Sequence, residues 1–180
     1  MNLISDYEYL MYNKDSESFS VHEDEIKLYN KILIEKYPWL GRRVYDDKTD
    51  SYIPDPEEDY LFTWLDDMPD GWRLEFGRQM CEEIQQELER VNFVNKYEIL
   101  QIKEKYGSLR WYTGGVPSDS KLFEIVDKYE TLSESTCIEC GKPAEWMSTG
   151  WISPYCSNCK NKLIESGKMK EEDFTEFNHV

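Results

Sequence analysis

Histidine is nearly absent from this chain: only His22 and His179 occur, close to opposite ends. The chain also lacks an HExxH pair, a glycine-rich phosphate cradle and a hydrolase nucleophile elbow, so the common hydrolase and nucleotide-binding motifs are missing. A nucleophile pair of Cys81 with either histidine has no motif-marked orienting group, and Cys81 reads instead as a small apolar residue buried in a helix. Long hydrophobic runs are missing too. No stretch approaches the roughly 20 apolar residues that cross a bilayer, and residues 1–10 already carry Asp6 and Glu8 rather than a basic segment leading into an apolar one. The expectation is a cytoplasmic chain without a membrane anchor. Tandem repeats, coiled-coil heptads and low-complexity tracts are absent as well.

Positive charge is scarce: 21 Lys and Arg face 37 Asp and Glu, for a net charge of -16. The imbalance is concentrated at the front. Residues 1–71 hold 18 acids and 7 bases, net -11, whereas residues 72–134 carry net -3 and residues 135–180 net -2. Duplex binding depends on Lys and Arg displacing counterions from phosphates, so nucleic acid is a poor partner for the acidic part and a basic protein surface a good one. What is plentiful is aromatic surface, 14% of residues with 13 Tyr and 6 Trp, in a chain of 180 residues long enough to bury a core.

Periodicity orders the middle of the chain. Ile26, Tyr29, Leu33 and Tyr37 predict a helix from about His22 to Lys36, capped by Ser20, favoured by Glu23 near its start and ended at Tyr37-Pro38. The segment before it reads as irregular, residues 42–58 as a loop or short irregular strands, and 61–65 carries no firm assignment. After the turn signal Met68-Pro69-Asp70-Gly71, the stripe Trp72, Phe76, Met80, Ile84, Leu88 and Val91 predicts the strongest helix, with Gly77 beside it suggesting close packing. Residues 97–105 and 108–113 form a predicted hairpin about Tyr106-Gly107, with Leu109 and Trp111 sharing one face, Arg110 and Tyr112 the other, and the inner face against that helix. A further helix beginning near Ser118 or Asp119 should bury Leu122, Ile125, Val126 and Tyr129 and lead into a linker at 133–136.

The most specific pattern is Cys137-Ile138-Glu139-Cys140, fifteen intervening residues, then Cys156-Ser157-Asn158-Cys159. Each two-residue gap lets a tight turn aim two sulfurs at one point, and two such knuckles supply the four thiolates of a structural zinc ion. Gly141 suits the positive φ of a knuckle turn. Redox-active thiols and an iron-sulfur centre are the competing readings. Four thiolates leave no open position for water, so zinc here is structural rather than catalytic. Trp146, Met147 and Trp151 lie on a hairpin expected to cover the metal, and a short helix follows Cys159, as in treble-clef or zinc-ribbon modules. The expected class is α+β: helices packed on a small antiparallel sheet or hairpin, with residues 1–134 an acidic domain, 135–168 the four-cysteine module and 169–180 a tail that either docks or stays mobile.

Acidic residues Asp46, Asp47, Asp50, Asp55, Glu57, Glu58, Asp59, Asp66, Asp67 and Asp70 form the candidate partner-binding surface. A solvated loop is the plain alternative, and a divalent-metal hydrolase site using Asp55 and Asp59 another. Lys103, Lys105, Arg110, Lys160 and Lys162, interleaved with aromatics, would serve a zinc-ribbon nucleic-acid binder, although hairpin packing accounts for the same residues.

Asp67-Met68-Pro69-Asp70-Gly71-Trp72, Phe76-Gly77, Met80-Cys81-Glu82-Glu83-Ile84, residues 102–112 and the two C-terminal CxxC pairs together resemble a group of small bacteriophage and prophage proteins with no established activity. The likeness spans roughly residues 60–165. It implies a host-directed role, such as inhibition of a defence protein or mimicry of nucleic acid, and carries over no catalytic residue. The expected function is therefore non-catalytic binding to a host protein that handles nucleic acid or defends the cell.

Overall fold

The acidic start, expected to be irregular, is helical over Asp6–Lys14. In the computed structural model, which describes residues 4–14 and 22–177, α1 (Asp6–Lys14) opens with a reciprocal cap: the Ser5 N–H donates to the Glu8 carboxylate at 2.8 Å and the Glu8 N–H to Ser5 Oγ at 3.2 Å. Its sequence is only weakly amphipathic, so tertiary contacts hold it. Asp6 accepts from Arg78 Nε at 2.6 Å and from the Tyr29 hydroxyl, while the buried Tyr9 ring stacks on Tyr29 with centroids 4.8 Å apart. Ser20, expected as the next cap, lies outside the described residues, as do His179 and the last three residues of the tail. α2 (Glu23–Lys36) buries Ile26, Tyr29 and Leu33 and ends at Tyr37 before Pro38, as the sequence predicts; exposed His22 donates its backbone N–H to Glu25.

The polar stretch that follows contains a small hairpin, β1 (Arg43–Asp46) against β2 (Ser51–Pro54). The unassigned segment becomes a 3-10 turn, Trp64–Asp67. α3 (Asp70–Trp72) then runs through a π-helical turn (Arg73–Gly77) into α4 (Arg78–Arg90). The stripe explains that irregularity. Four consecutive steps of four residues overrun a 3.6-residue turn by about 40° each, and a turn with i to i+5 bonding takes up part of the drift, so Trp72, Phe76, Met80, Ile84 and Leu88 are all buried. Gly77 is not the close approach the sequence suggests: an added Cβ would meet only Arg73 and Met68 side chains, at 3.5 Å or more.

β3 (Ile99–Lys105) and β4 (Ser108–Thr113) form the expected hairpin, with a register shift between Ile99 and Gln101, and Leu109 and Trp111 are the buried pair while Tyr112 is exposed. Tyr106 and Gly107 both have positive φ, 55° and 79°, as a two-residue type I′ connection requires. The hairpin's main helical neighbour is α5 rather than the long helix: β4 lies along α5 (Leu122–Glu134), and α5 along α4. α5 starts about three residues later than expected, where Ser120 Oγ accepts from the Leu122 N–H at 3.1 Å. Trp39, Tyr97 and Trp111 close the core edge to face, with the Trp111 indole donating to the Tyr97 hydroxyl at 2.8 Å.

Glu87 joins α4 to the start of α5. Its carboxylate accepts two bonds at 2.8 Å from Arg90 and the backbone N–H of Lys121, and the Arg90 pairing holds it down to about 2. A carboxyl depressed in the folded state contributes stability above its ordinary value near 4.5, and that contribution is lost as pH falls toward about 2. Glu87→Gln should therefore lower the thermal midpoint at pH 7 and flatten its fall between pH 4.5 and 2, measured by melting at a series of pH values. An unchanged acid profile would contradict this.

The C-terminal part holds β5 (Trp146–Ser148) and β6 (Pro154–Tyr155), then α6 (Ser157–Glu165), and the tail returns as β7 (Phe174–Glu176) to complete a sheet ordered β6-β5-β7. The tail docks, with Phe174 buried against Tyr155. The architecture is α+β, small antiparallel sheets with helices packed among them. No helix among the described residues is long and apolar enough to cross a membrane.

Candidate metal centre and acidic surface

Two backbone turns build the cysteine cluster. In the first knuckle, Cys137 N–H donates to Lys142 O and Gly141 N–H to Cys137 O, and Gly141 takes the positive φ of 78° that the turn needs. The Ile138 N–H donates to Pro154 O at 2.9 Å, tying this knuckle to β6. In the second, Cys156 caps α6, its Sγ receiving the Cys159 N–H at 3.5 Å. The ligand atoms of Cys137, Cys140, Cys156 and Cys159 lie within 4.8 Å of one another, and Cys140 Sγ is 3.6 Å from Cys156 Sγ. A tetrahedral ion with sulfur at about 2.3 Å has sulfur–sulfur edges of about 3.8 Å, so the residues present fit such an ion.

Their protonation fits as well. Burial pushes the Cys137 thiol up to about 11 and Cys159 upward too, the latter helped by its neighbouring cysteines. Cys156 goes down: burial opposes the change, but the Cys159 N–H and the other thiols outweigh it. Cys137 and Cys159 therefore resist ionising unless a divalent cation supplies positive charge, so metal uptake at this cluster would release protons. Cys140 and Cys159 border a cleft of about 390 Å³ with Lys162 and Lys168, while Cys137 is fully buried. The aromatic cover is Tyr155, not the expected Trp146 and Trp151. Trp146 instead lies under Lys160, whose Nζ is 3.3 Å from the ring centroid, and Trp151 is 78% exposed, its indole donating to Glu104 at 3.0 Å.

The first knuckle also rests on the main core. Gly71 donates its N–H to Ile138 O at 2.9 Å, the buried Trp72 indole donates to Thr136 O at 2.8 Å, and Gly141 packs against Gly71 and Glu75. The segment expected as a linker is occupied by similar contacts, since Ser133 Oγ accepts from the Leu109 N–H at 2.8 Å. The sequence marks Gly71 as turn punctuation; the signal for its packing role is a glycine in the first turn of a helix, where propensity disfavours it.

The ten candidate acids do not share one role. Asp46 closes its turn by accepting from Lys48 N–H and Thr49 Oγ, Asp50 holds Lys96 and the Tyr45 hydroxyl, and Asp55 pairs with Arg42 at 3.2 Å. Glu58 receives the backbone N–H groups of Arg42 and Tyr60. Asp66 pairs with Arg73 at 2.6 Å, a guanidinium only 1% exposed and 4.5 Å from the Tyr9 ring. Asp67 is raised by partial burial and by neighbouring Asp66, and Asp70 is half-buried at the start of α3. Asp47, Glu57 and Asp59 are exposed and form no ion pair among the described residues. Of the basic set, Arg110 pairs with Glu130 and buried Lys160 with Glu171, while Lys103 and Lys105 lie over Tyr112 and Tyr106 and Lys162 is exposed beside the thiol cleft. Comparison with models of protein families, with curated proteins and with solved structures gives no match for this chain.

Proposed function

We propose that this is a non-catalytic acidic binding protein, of bacteriophage or prophage type and acting in the bacterial cytoplasm, that occupies a basic surface on a host protein handling nucleic acid or serving in defence. The observation that carries the reading is the concentration of net -11 in residues 1–71, with Asp47, Glu57 and Asp59 exposed and without an ion pair among the described residues. Such a surface speeds and orients encounter with a basic cleft. The four-cysteine centre holds zinc in a treble-clef or ribbon-like module and keeps the binding face rigid; all four positions are filled by protein, so its part is structural. A nucleic-acid-binding role for Lys103, Lys105, Arg110, Lys160 and Lys162 is weakened by the internal pairs of Arg110 and Lys160.

The test is capture from bacterial lysate on immobilised protein, with a variant carrying Asp47→Asn, Glu57→Gln and Asp59→Asn. The expected result is a defined basic protein retained at about 0.1 M salt, released as the screening length contracts toward about 3 Å near 1 M, and lost with the triple variant. Retention of nucleic acid without a specific protein would reject the proposal.

A further inference from the structure

A cavity of about 300 Å³ opens between the β1–β2 hairpin, the start of β3 and the segment before the 3-10 turn. Buried Trp39 and Ile99 lie at its base, and Tyr52, Phe62 and Trp64 line it, Phe62 being 41% exposed at the rim. Four of its eleven lining residues are aromatic. They attract cations, guanidinium above all, because a planar delocalised ion stacks on them and loses little hydration. The wall already holds one such contact: the Arg43 guanidinium sits 5.2 Å from the Tyr52 ring.

Four charged residues border the space, Arg42, Arg43, Asp55 and Glu98, and they are not equivalent. Arg43 is engaged, since its two terminal nitrogens donate to the main-chain carbonyls of Val94 and Tyr97. Arg42 is 53% exposed and joins Asp55 through one contact at 3.2 Å, whereas the Asp55 side chain is only 14% exposed. The carboxylate is therefore the fixed member of the pair and the arginine the movable one. Glu57, Glu58 and Asp59 follow after Pro56, inside the segment of net -11. The four lining charges cancel, so the surrounding acidic segment decides the sign and favours a cation over an anion at the mouth.

We propose that this cavity takes an arginine side chain from the partner's basic surface, its guanidinium lying against Tyr52, Phe62 and Trp64 and replacing Arg42 on the Asp55 carboxylate. The proposal rests on the reading of a basic protein partner and specifies where that partner is anchored. It gives Arg42 the role of a resident competitor. Removing Arg42 should strengthen binding, whereas an ordinary contact residue would weaken it when removed.

The probe is N-acetyl-arginine amide, titrated into the full-length protein while the tryptophan indole N–H signals are followed by NMR, with the lysine analogue and AMP as comparators. A single side chain should bind with Kd on the order of 1 mM, shifting the Trp64 signal saturably. Asp55→Asn and Phe62→Ala should each weaken binding about tenfold or more, and Arg42→Gln should tighten it several-fold. Each variant is checked for an unchanged thermal midpoint, and the opposite signs of Arg42→Gln and Asp55→Asn are not produced by general loosening. No saturable shift, equal binding by Asp55→Asn, weaker binding by Arg42→Gln, or preference for the lysine analogue or AMP would overturn the proposal. If lysate capture succeeds and is unaltered by Asp55→Asn, the cavity assignment falls and the basic-partner reading survives. If wild-type capture fails, that reading falls, and a positive arginine titration still stands as a property of the cavity.

Discussion

Cys137→Ser is expected to purify with far less than one zinc per chain and to melt well below the wild type, with loss of near-ultraviolet tryptophan signal as well as of the C-terminal fold. In the proposed centre four thiolates share one zinc ion, so removing one would leave an incomplete shell whose remaining three carry uncompensated charge or protons. Structural zinc contributes on the order of 10 kcal/mol in small modules. Losing even a third of that would lower the melting point of a chain this size by about 10 °C. The loss should also spread. Cys137 is fully buried, its neighbours Thr136 and Ile138 receive bonds from Trp72 and Gly71, and the Trp72 ring reports on that junction. Chelation of the wild type should reproduce the change and added zinc reverse it, while Cys81→Ser, at a buried thiol outside the cluster, should keep its metal. A Cys137→Ser protein with full zinc and an unaltered spectrum would remove the basis for a four-thiolate centre.

Much of this was readable where local chemistry and tertiary structure agree. The hairpin about Tyr106-Gly107 combines alternation with a turn that its glycine favours, and α2 carries both its stripe and its proline stop, so neighbours had little to add. The cysteine spacing likewise needs only two tight turns. What escaped the sequence depends on residues far apart. α1 is held by Arg78 and Tyr29, so its weak stripe gave no warning, although Ser5 and Glu8 carried a capping box. The acids looked interchangeable, yet Asp55 faces an aromatic cavity, Asp66 neutralises a buried guanidinium and Asp47 meets solvent. Lys160 read as part of a basic face and is buried over Trp146. For α1 a partner distant in sequence decides the outcome, Asp66 turns on Arg73 seven residues further on, and Asp47 on its exposure.

Gly71→Ala should separate the two influences at the junction, because propensity and packing there predict opposite signs. Gly71 lies within α3, and alanine gains about 1 kcal/mol over glycine inside a helix. Packing opposes this gain. A Cβ at Gly71 would lie 2.7 Å from the backbone nitrogens of Cys140 and Gly141 and overlap the Cys137 carbonyl, and none of these atoms is the end of a flexible side chain. The knuckle would have to lift from the helix, straining the Gly71–Ile138 hydrogen bond and the Trp72 indole bond to Thr136. Overpacking of this kind costs about 1–3 kcal/mol and more where backbone must shift, so the zinc-loaded variant should melt roughly 5 °C or more below the wild type. With zinc chelated and the knuckle released, the clash disappears and the propensity term remains, so the order of the two melting points should reverse. Gly77→Ala provides the contrast: its Cβ meets nothing nearer than 3.5 Å, and it should be neutral or stabilising with or without metal. Equal melting points for Gly71→Ala and wild type in the zinc-loaded state would mean that the first knuckle does not bear on the helix at Gly71.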